Sequence, residues 1–227
     1  MRRLLRQLVG ITLWGAPLFA QQVSSAAAPI PMPADRISDS YSIYSSLIPL
    51  GETTGKGWPH ELWLVRDTTV TAIASDQPCA PTPSTAASAR FDMGMNPHTA
   101  VHPPEDQQEN YNEILQDFDL HCHDVLSLDP DAWKLSAPVR LLTPDEQKEF
   151  QATRSGDAQN SPPAAKYKGA PALYAFSEVY FNAHHTVALV YATHWCGGLC
   201  GQGLWIALAL EDGLWKPLQW NATHWIS

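Results

Sequence analysis

The chain has 227 residues, 44% hydrophobic and 16% charged, with 14 Lys and Arg against 23 Asp and Glu for a net charge of −9. That length and apolar content exclude a disordered polymer and suit a globular domain with a real core. The acid excess repels phosphate backbones and leaves no polybasic patch, so neither nucleic acid nor an anionic lipid surface is an expected partner. Nineteen prolines against thirteen glycines exclude a mostly helical bundle and predict long loops.

Residues 1–20 have the form of a secretory signal peptide. Arg2, Arg3 and Arg6 supply a positive start, residues 8–19 an apolar stretch, and Ala20 a fitting cleavage position. The stretch is short for a spanning anchor. The expectation is export to a secreted or periplasmic location, with no membrane span left after cleavage. Loss of the three arginines would deepen the charge from −9 to −12. Residues 21–36, rich in Ala, Ser and Pro, predict a flexible leader, and residues 37–227 a single globular domain.

Asp39 is placed to cap a short helix over residues 40–48, which Pro49 and Gly51 would end. Residues 61–70 are β-branched and aromatic and read as a strand. A long loop rich in Pro, Ser, Thr and Ala follows over residues 78–104. Tyr111, Leu115 and Phe118 share one helical face, which predicts a helix over 105–118. Residues 121–127 and 139–142 read as short strands. Thr143-Pro144-Asp145-Glu146 is a capping box with proline at the first helical position, opening a helix to about residue 152. A second long loop covers residues 153–172.

The C-terminal third holds four strand-like runs, at 173–181, 186–195, 202–210 and 214–220, joined by tight connections. In the third, Leu204, Ile206, Leu208 and Leu210 share one face, while Trp205, Ala207 and Ala209 take the other. Two apolar faces predict a sheet covered on both sides. The expected fold is α+β: an antiparallel meander of four to six strands with a few short helices packed on it. No βαβ rhythm and no nucleotide-binding glycine pattern is evident.

Four cysteines in an exported chain predict two disulfides. Cys196 and Cys200 bracket Gly197, Gly198 and Leu199, so in a hairpin they face each other at bridging distance. That leaves Cys79 with Cys122, closing a loop of about 44 residues and contributing about 4 kcal/mol on the chain-entropy model.

Nucleophile elbow, zinc-protease, phosphate-loop and calcium-loop patterns are all absent from the sequence, so no catalytic residue and no cofactor is assigned. The Gly-rich run 197–203 looks superficially like a phosphate loop, but lacks its lysine and the following helix. Five of the nine tryptophans, Trp195, Trp205, Trp215, Trp220 and Trp225, fall near the C-terminus. Exposed beside Gly197, Gly198, Gly201, Gln202 and Gly203, they would form a stacking surface for an extracytoplasmic ligand; alternatively they fill the core. Among histidines, His121 and His123 would share one face of a strand. His194 and His224 recur in a repeated Ala-Thr-His-Trp tetrapeptide and would approach if the last strand paired near the second run. These four are the candidate ligands for zinc or copper. The leading functional expectation is a non-enzymatic binding or interaction domain for an extracytoplasmic ligand or protein. The alternative is a cell-envelope hydrolase or metal-binding protein using His121 and His123.

Several segments carry a resemblance: Phe176-Ser177-Glu178-Val179-Tyr180-Phe181-Asn182, Ala188-Leu189-Val190-Tyr191, the run Cys196-Gly197-Gly198-Leu199-Cys200-Gly201-Gln202-Gly203, and Asp212-Gly213-Leu214-Trp215. Tyr41-Ser42-Ile43-Tyr44-Ser45 and Val65-Arg66-Asp67-Thr68-Thr69 extend it toward the N-terminus. Together they resemble secreted or periplasmic bacterial proteins of the acidobacterial type, a group without an assigned activity. The resemblance implies export, a shared fold and a disulfide-closed hairpin, and no catalytic residue.

Thiol titration of the unfolded, unreduced protein should find essentially no free cysteine. One or more free thiols per chain would remove at least one bridge.

Overall fold

The computed structural model describes residues 28–48, 61–80, 95–154, 165–198, 200–222 and 224–226. The signal segment expected at 1–20 lies outside the described residues. In chain order the elements are β1 (Ile30–Pro31), α1 (Ile37–Leu47), β2 (Trp63–Arg66), α2 (Pro97–Ala100), β3 (Val101–His102), α3 (Gln108–His121), β4 (Leu126–Ser127), β5 (Val139–Leu142), α4 (Pro144–Ala152), β6 (Leu173–Phe176), β7 (Tyr180–Phe181), β8 (Val187–Gly197), β9 (Cys200–Glu211), β10 (Leu214–Pro217), β11 (Asn221–Ala222) and β12 (His224–Ile226).

Eight of the strands form one sheet, in the order β10-β9-β8-β6-β2-β5, with β12 also on β9 and β7 also on β8. The β6-β8-β9-β10 part is antiparallel, as expected. β2 departs from the expectation, because it lies parallel to both β5 and β6. The sheet is therefore mixed and larger than a meander of four to six strands. Its parallel arm follows from the helical connection: α4 carries the chain from β5 back to β6, skipping over β2. Parallel neighbours need such a crossover. The chain thus holds a crossover unit that its sequence rhythm did not reveal.

Side chains alternate between two faces of the sheet, as pleating requires. Ala188, Val190 and Ala192 of β8 join Val65 of β2, Phe176 of β6 and Leu208 of β9 under α1, which contributes Tyr41, Ile43, Tyr44 and Leu47. Val187, Leu189 and Tyr191 turn the other way, to meet Trp205, Ala207 and the α3 residues Tyr111, Ile114 and Phe118. On this second face, α4 buries Phe150 against Leu64, Leu142 and Leu173. The sheet is covered on both sides, which accounts for strands apolar on both faces.

Local chemistry sets the ends of these elements. The Thr143 hydroxyl accepts from Glu146 N, and the Glu146 carboxylate accepts in turn from Thr143 N, completing the expected capping box. Asp212 and Gly213 both have positive φ, 54° and 77°, as a tight two-residue turn between β9 and β10 demands. α1 begins at Ile37, ahead of the expected Asp39 cap. α3 runs to His121, past the expected end at 118, because Cys122 continues the buried stripe of Tyr111, Ile114 and Phe118. Residues 121–127 accordingly form a helix end, a turn and the short β4 in place of a strand.

Cys79 is bonded to Cys122 and Cys196 to Cys200. The first bridge ties the end of α3 to the segment after β2; the second closes the β8–β9 hairpin. Two disulfides fit an oxidising, extracytoplasmic compartment. Among the described residues no helix is long and apolar enough to cross a membrane.

The described part of the expected flexible leader is docked. Ile30 N donates to Val125 O at 2.9 Å, β1 pairs with β4 in parallel, Met32 is buried, and Arg36 enters an ion-pair network.

Phe118 is fully buried and Leu120, two residues along the same helix, is 78% exposed. Phe118→Ala should therefore cost about 3–5 kcal/mol in denaturant unfolding, and Leu120→Ala should stay within about 0.5 kcal/mol of the parent.

Candidate functional site

The Gly-rich hairpin does not present the expected stacking surface. Trp205 is 3% exposed, packs against Phe118, Tyr180 and Tyr191, and donates its indole N–H to Met95 O at 2.8 Å. Trp215 is buried beside Phe181, and Trp195 is half-buried edge-on to Phe150. Gly203 owes its identity to packing, since a Cβ there would overlap the Tyr191 hydroxyl and Trp225 Nε1, themselves hydrogen-bonded. Gly201 is buried opposite Trp195, Gln202 is half-buried opposite His194, and Gly197 faces Cys200 across the loop. Only Gly198 opens to solvent among these glycines, with nothing near the place of a Cβ. The aromatics lie inward because both faces of the sheet are covered.

The four candidate metal-binding histidines do not converge. β12 pairs with β9, which separates it from β8 by two strand spacings, about 9.6 Å. His194 is half-buried beside the Tyr174 ring, and that burial lowers its pKa. His224 stands opposite Leu204 on β12. His123 is exposed next to the Cys79–Cys122 bridge, in the turn after α3, so it does not share a strand face with His121.

His121 is different, because it joins a charged cluster that the sequence did not assemble. The cluster forms where the expected strand 173–181 breaks. Ser177, Glu178 and Val179 interrupt it between β6 and β7. Ser177 takes over the ladder: its N–H donates to Tyr191 O, and its hydroxyl accepts from Tyr191 N and donates to Glu178 O. Tyr44 fixes the same residue by donating its hydroxyl to Ser177 O at 2.8 Å.

The break turns Glu178 inward, where it is 2% exposed. Its Oε1 accepts from Arg36 Nη1 at 2.9 Å, and its Oε2 is buried without a hydrogen-bond partner among the described residues. Arg36 also forks onto Asp117, with Nη1 to Oδ2 at 3.0 Å and Nη2 to Oδ1 at 2.5 Å. Asp117 in turn accepts from Phe181 N at 2.8 Å. His121 lies one helical turn further along α3, its Nε2 3.8 Å from Asp117 and its Nδ1 2.9 Å from Asp124. Burial pushes the Glu178 carboxyl up to about 7, against the opposing pull of Arg36 and His121.

Beside this cluster an open groove of about 300 Å³ runs between α3 and the turn from β7 to β8. Arg36, Glu113, Asp117, Phe181, Asn182 and His185 line it, with Leu120 at its rim. The turn is held by the Asn182 side chain, whose Oδ1 accepts from Thr186 N at 2.8 Å and Val187 N at 3.0 Å. His185, at φ 51°, stacks on Phe181 with ring centroids 4.5 Å apart. Glu113 Oε2 accepts from Ala183 N at 3.0 Å, joining α3 to the turn.

Sequence reasoning missed Arg36, Asp117, Asp124 and Glu178. Glu178 alone left a signal, as the one acid in the run Leu-Tyr-Ala-Phe-Ser-Glu-Val-Tyr-Phe. No family model, curated protein or solved structure matches the chain.

Arg36 is 12% exposed between two carboxylates. Arg36→Met, which leaves both without their counter-ion, should destabilise by about 3–5 kcal/mol in denaturant unfolding. Adding Glu178→Gln to that variant should recover part of the loss. A fully additive double-mutant cycle would mean that the pair is not coupled.

Proposed function

We propose that the protein is an exported, non-enzymatic binding domain whose ligand site is the groove between α3 and the β7–β8 turn. The observation that carries this reading is the groove itself, where charged side chains, an aromatic stack and an exposed Leu120 come together around open volume. Its lining carries two acids, Glu113 and Asp117, against Arg36, on a chain of net charge −9. A small ligand with one positive charge and an apolar portion complements it. Export rests on the N-terminal signal pattern, supported by the two disulfides. The resemblance to secreted bacterial proteins is a reading of the same kind.

The hydrolase alternative has less behind it. Glu178, the residue whose pKa is poised near neutrality, is 2% exposed, and His121 does not line the groove. A general acid or base must reach its substrate.

Benzylamine, an aromatic cation, is a suitable probe. Titration into the tag-free protein should give saturable NMR shifts at the Leu120 and Ala183 amides. Benzoate, of similar size and opposite charge, should shift neither. Glu113→Gln, which keeps an oxygen for the Ala183 N–H, should weaken the response at least fivefold. Equal responses to both probes, or a response confined to residues 197–203, would overturn the assignment.

A further inference from the structure

We propose that His121, Asp124 and Glu178 form a binding site for a divalent first-row transition cation of the zinc class. The site is separate from the groove ligand, and its test does not depend on that reading.

Three observations meet here. The first is geometric: one ligand atom from each of the three residues lies within 4.8 Å of the other two. Two ligands on a tetrahedral zinc, with bonds of about 2.0–2.1 Å, sit roughly 3.3 Å apart. His121 Nδ1 and Asp124 Oδ2, at 2.9 Å, are already near that spacing, and the remaining atoms need only a modest closure.

The second is the unsatisfied oxygen. Glu178 is 2% exposed, and its Oε2 has no hydrogen-bond partner among the described residues. A buried carboxylate oxygen left bare costs several times an ordinary lost hydrogen bond, so it demands a proton or a cation. Arg36 holds only the other oxygen, Oε1, which also fixes the direction of the carboxylate.

The third is charge. With Glu178 ionised, as ligation requires, Asp117, Asp124 and Glu178 set three negative charges against the guanidinium of Arg36, a deficit of two that a divalent ion cancels. The site also lies at the C-terminal end of the fourteen-residue helix α3, the end whose dipole favours cations. His121 and Asp124 are 33% and 38% exposed in their side chains, which leaves a path from solvent.

The donor set selects the metal. One imidazole with two carboxylates suits zinc and its neighbours, whereas calcium and magnesium favour oxygen alone. Asp117, 3.8 Å from His121 Nε2, stands behind the ring as a negative charge at ion-pair range, beyond hydrogen-bond reach. A second grouping, Cys79, Cys122 and His123, is not a competitor, because both its sulfurs are consumed in the disulfide.

The test uses the tag-free protein with both disulfides intact, stripped with a chelator and titrated with zinc chloride by calorimetry. The expected result is one equivalent bound, at least tenfold more weakly in His121→Ala and in Asp124→Asn, and unchanged in His123→Ala. Glu178→Gln should lose binding as well. Should that buried substitution fail to fold, the two partly exposed positions decide alone. Absence of saturable binding overturns the proposal, as does undiminished binding in His121→Ala and Asp124→Asn, or a loss confined to His123→Ala. Calcium binding more tightly than zinc overturns the assignment of metal class.

Discussion

A single guanidinium shared between two largely buried carboxylates organises one side of this molecule. Arg36 stands at the entrance to α1, Asp117 one turn before the end of α3, and Glu178 in the break between β6 and β7. These positions are separated by 81 and 142 residues along the chain. Taking such groups out of water is costly, and the cost is offset only when every member keeps its partners in good geometry. The network therefore ties the placement of α1 to that of α3, although the two helices lie on opposite faces of the sheet. It also holds β7 in place, since Phe181 N donates to the same Asp117.

The sheet supplies the opposite kind of constraint, apolar and non-directional. Because β8 alternates its side chains between the α1 core and the α3 core, neither helix layer can be removed without exposing half of a central strand. Within that apolar frame, the break at residues 177–179 passes the ladder through a side-chain hydroxyl and turns an acid inward. Polar groups placed in this way raise the local interaction strength, because the surroundings offer little competing water. A charged cluster and an adjoining groove thus arise where the strand is interrupted.

What the sequence disclosed was mostly local. The alternation of β8 and β9, the Asp212-Gly213 turn, the Thr143 capping box and both cysteine pairings depend on residues close together in the chain or on simple elimination. What it concealed was non-local. The parallel register of β2 between β5 and β6 reflects a crossover through α4, and no motif within β2 announces it. The run 173–181 reads as one strand because five of its nine residues are Tyr, Phe or Val, and the break shows only in where Ser177 and Glu178 find partners. Arg36 reads as part of a leader because the segment before it, residues 21–35, is rich in Ala, Ser and Pro, whereas its carboxylate partners lie far along the chain. The tryptophans were ambiguous for a related reason: an aromatic residue in a strand faces core or solvent according to what covers the sheet, which its own segment does not encode.

The two ends of the large sheet bear on how the chain behaves in a crowd. On one side, β10 and β12 both lie along β9, at opposite ends of its length, so that margin is made of two short strands of four and three residues. On the other side the sheet ends at β5, which is four residues long, follows Pro138 and carries Arg140. Short length, a flanking proline and a charge are the features that keep a sheet edge from templating a second chain. Among the described residues, both margins of the eight-stranded sheet thus end in strands of three or four residues, which offer a second chain little edge to pair with.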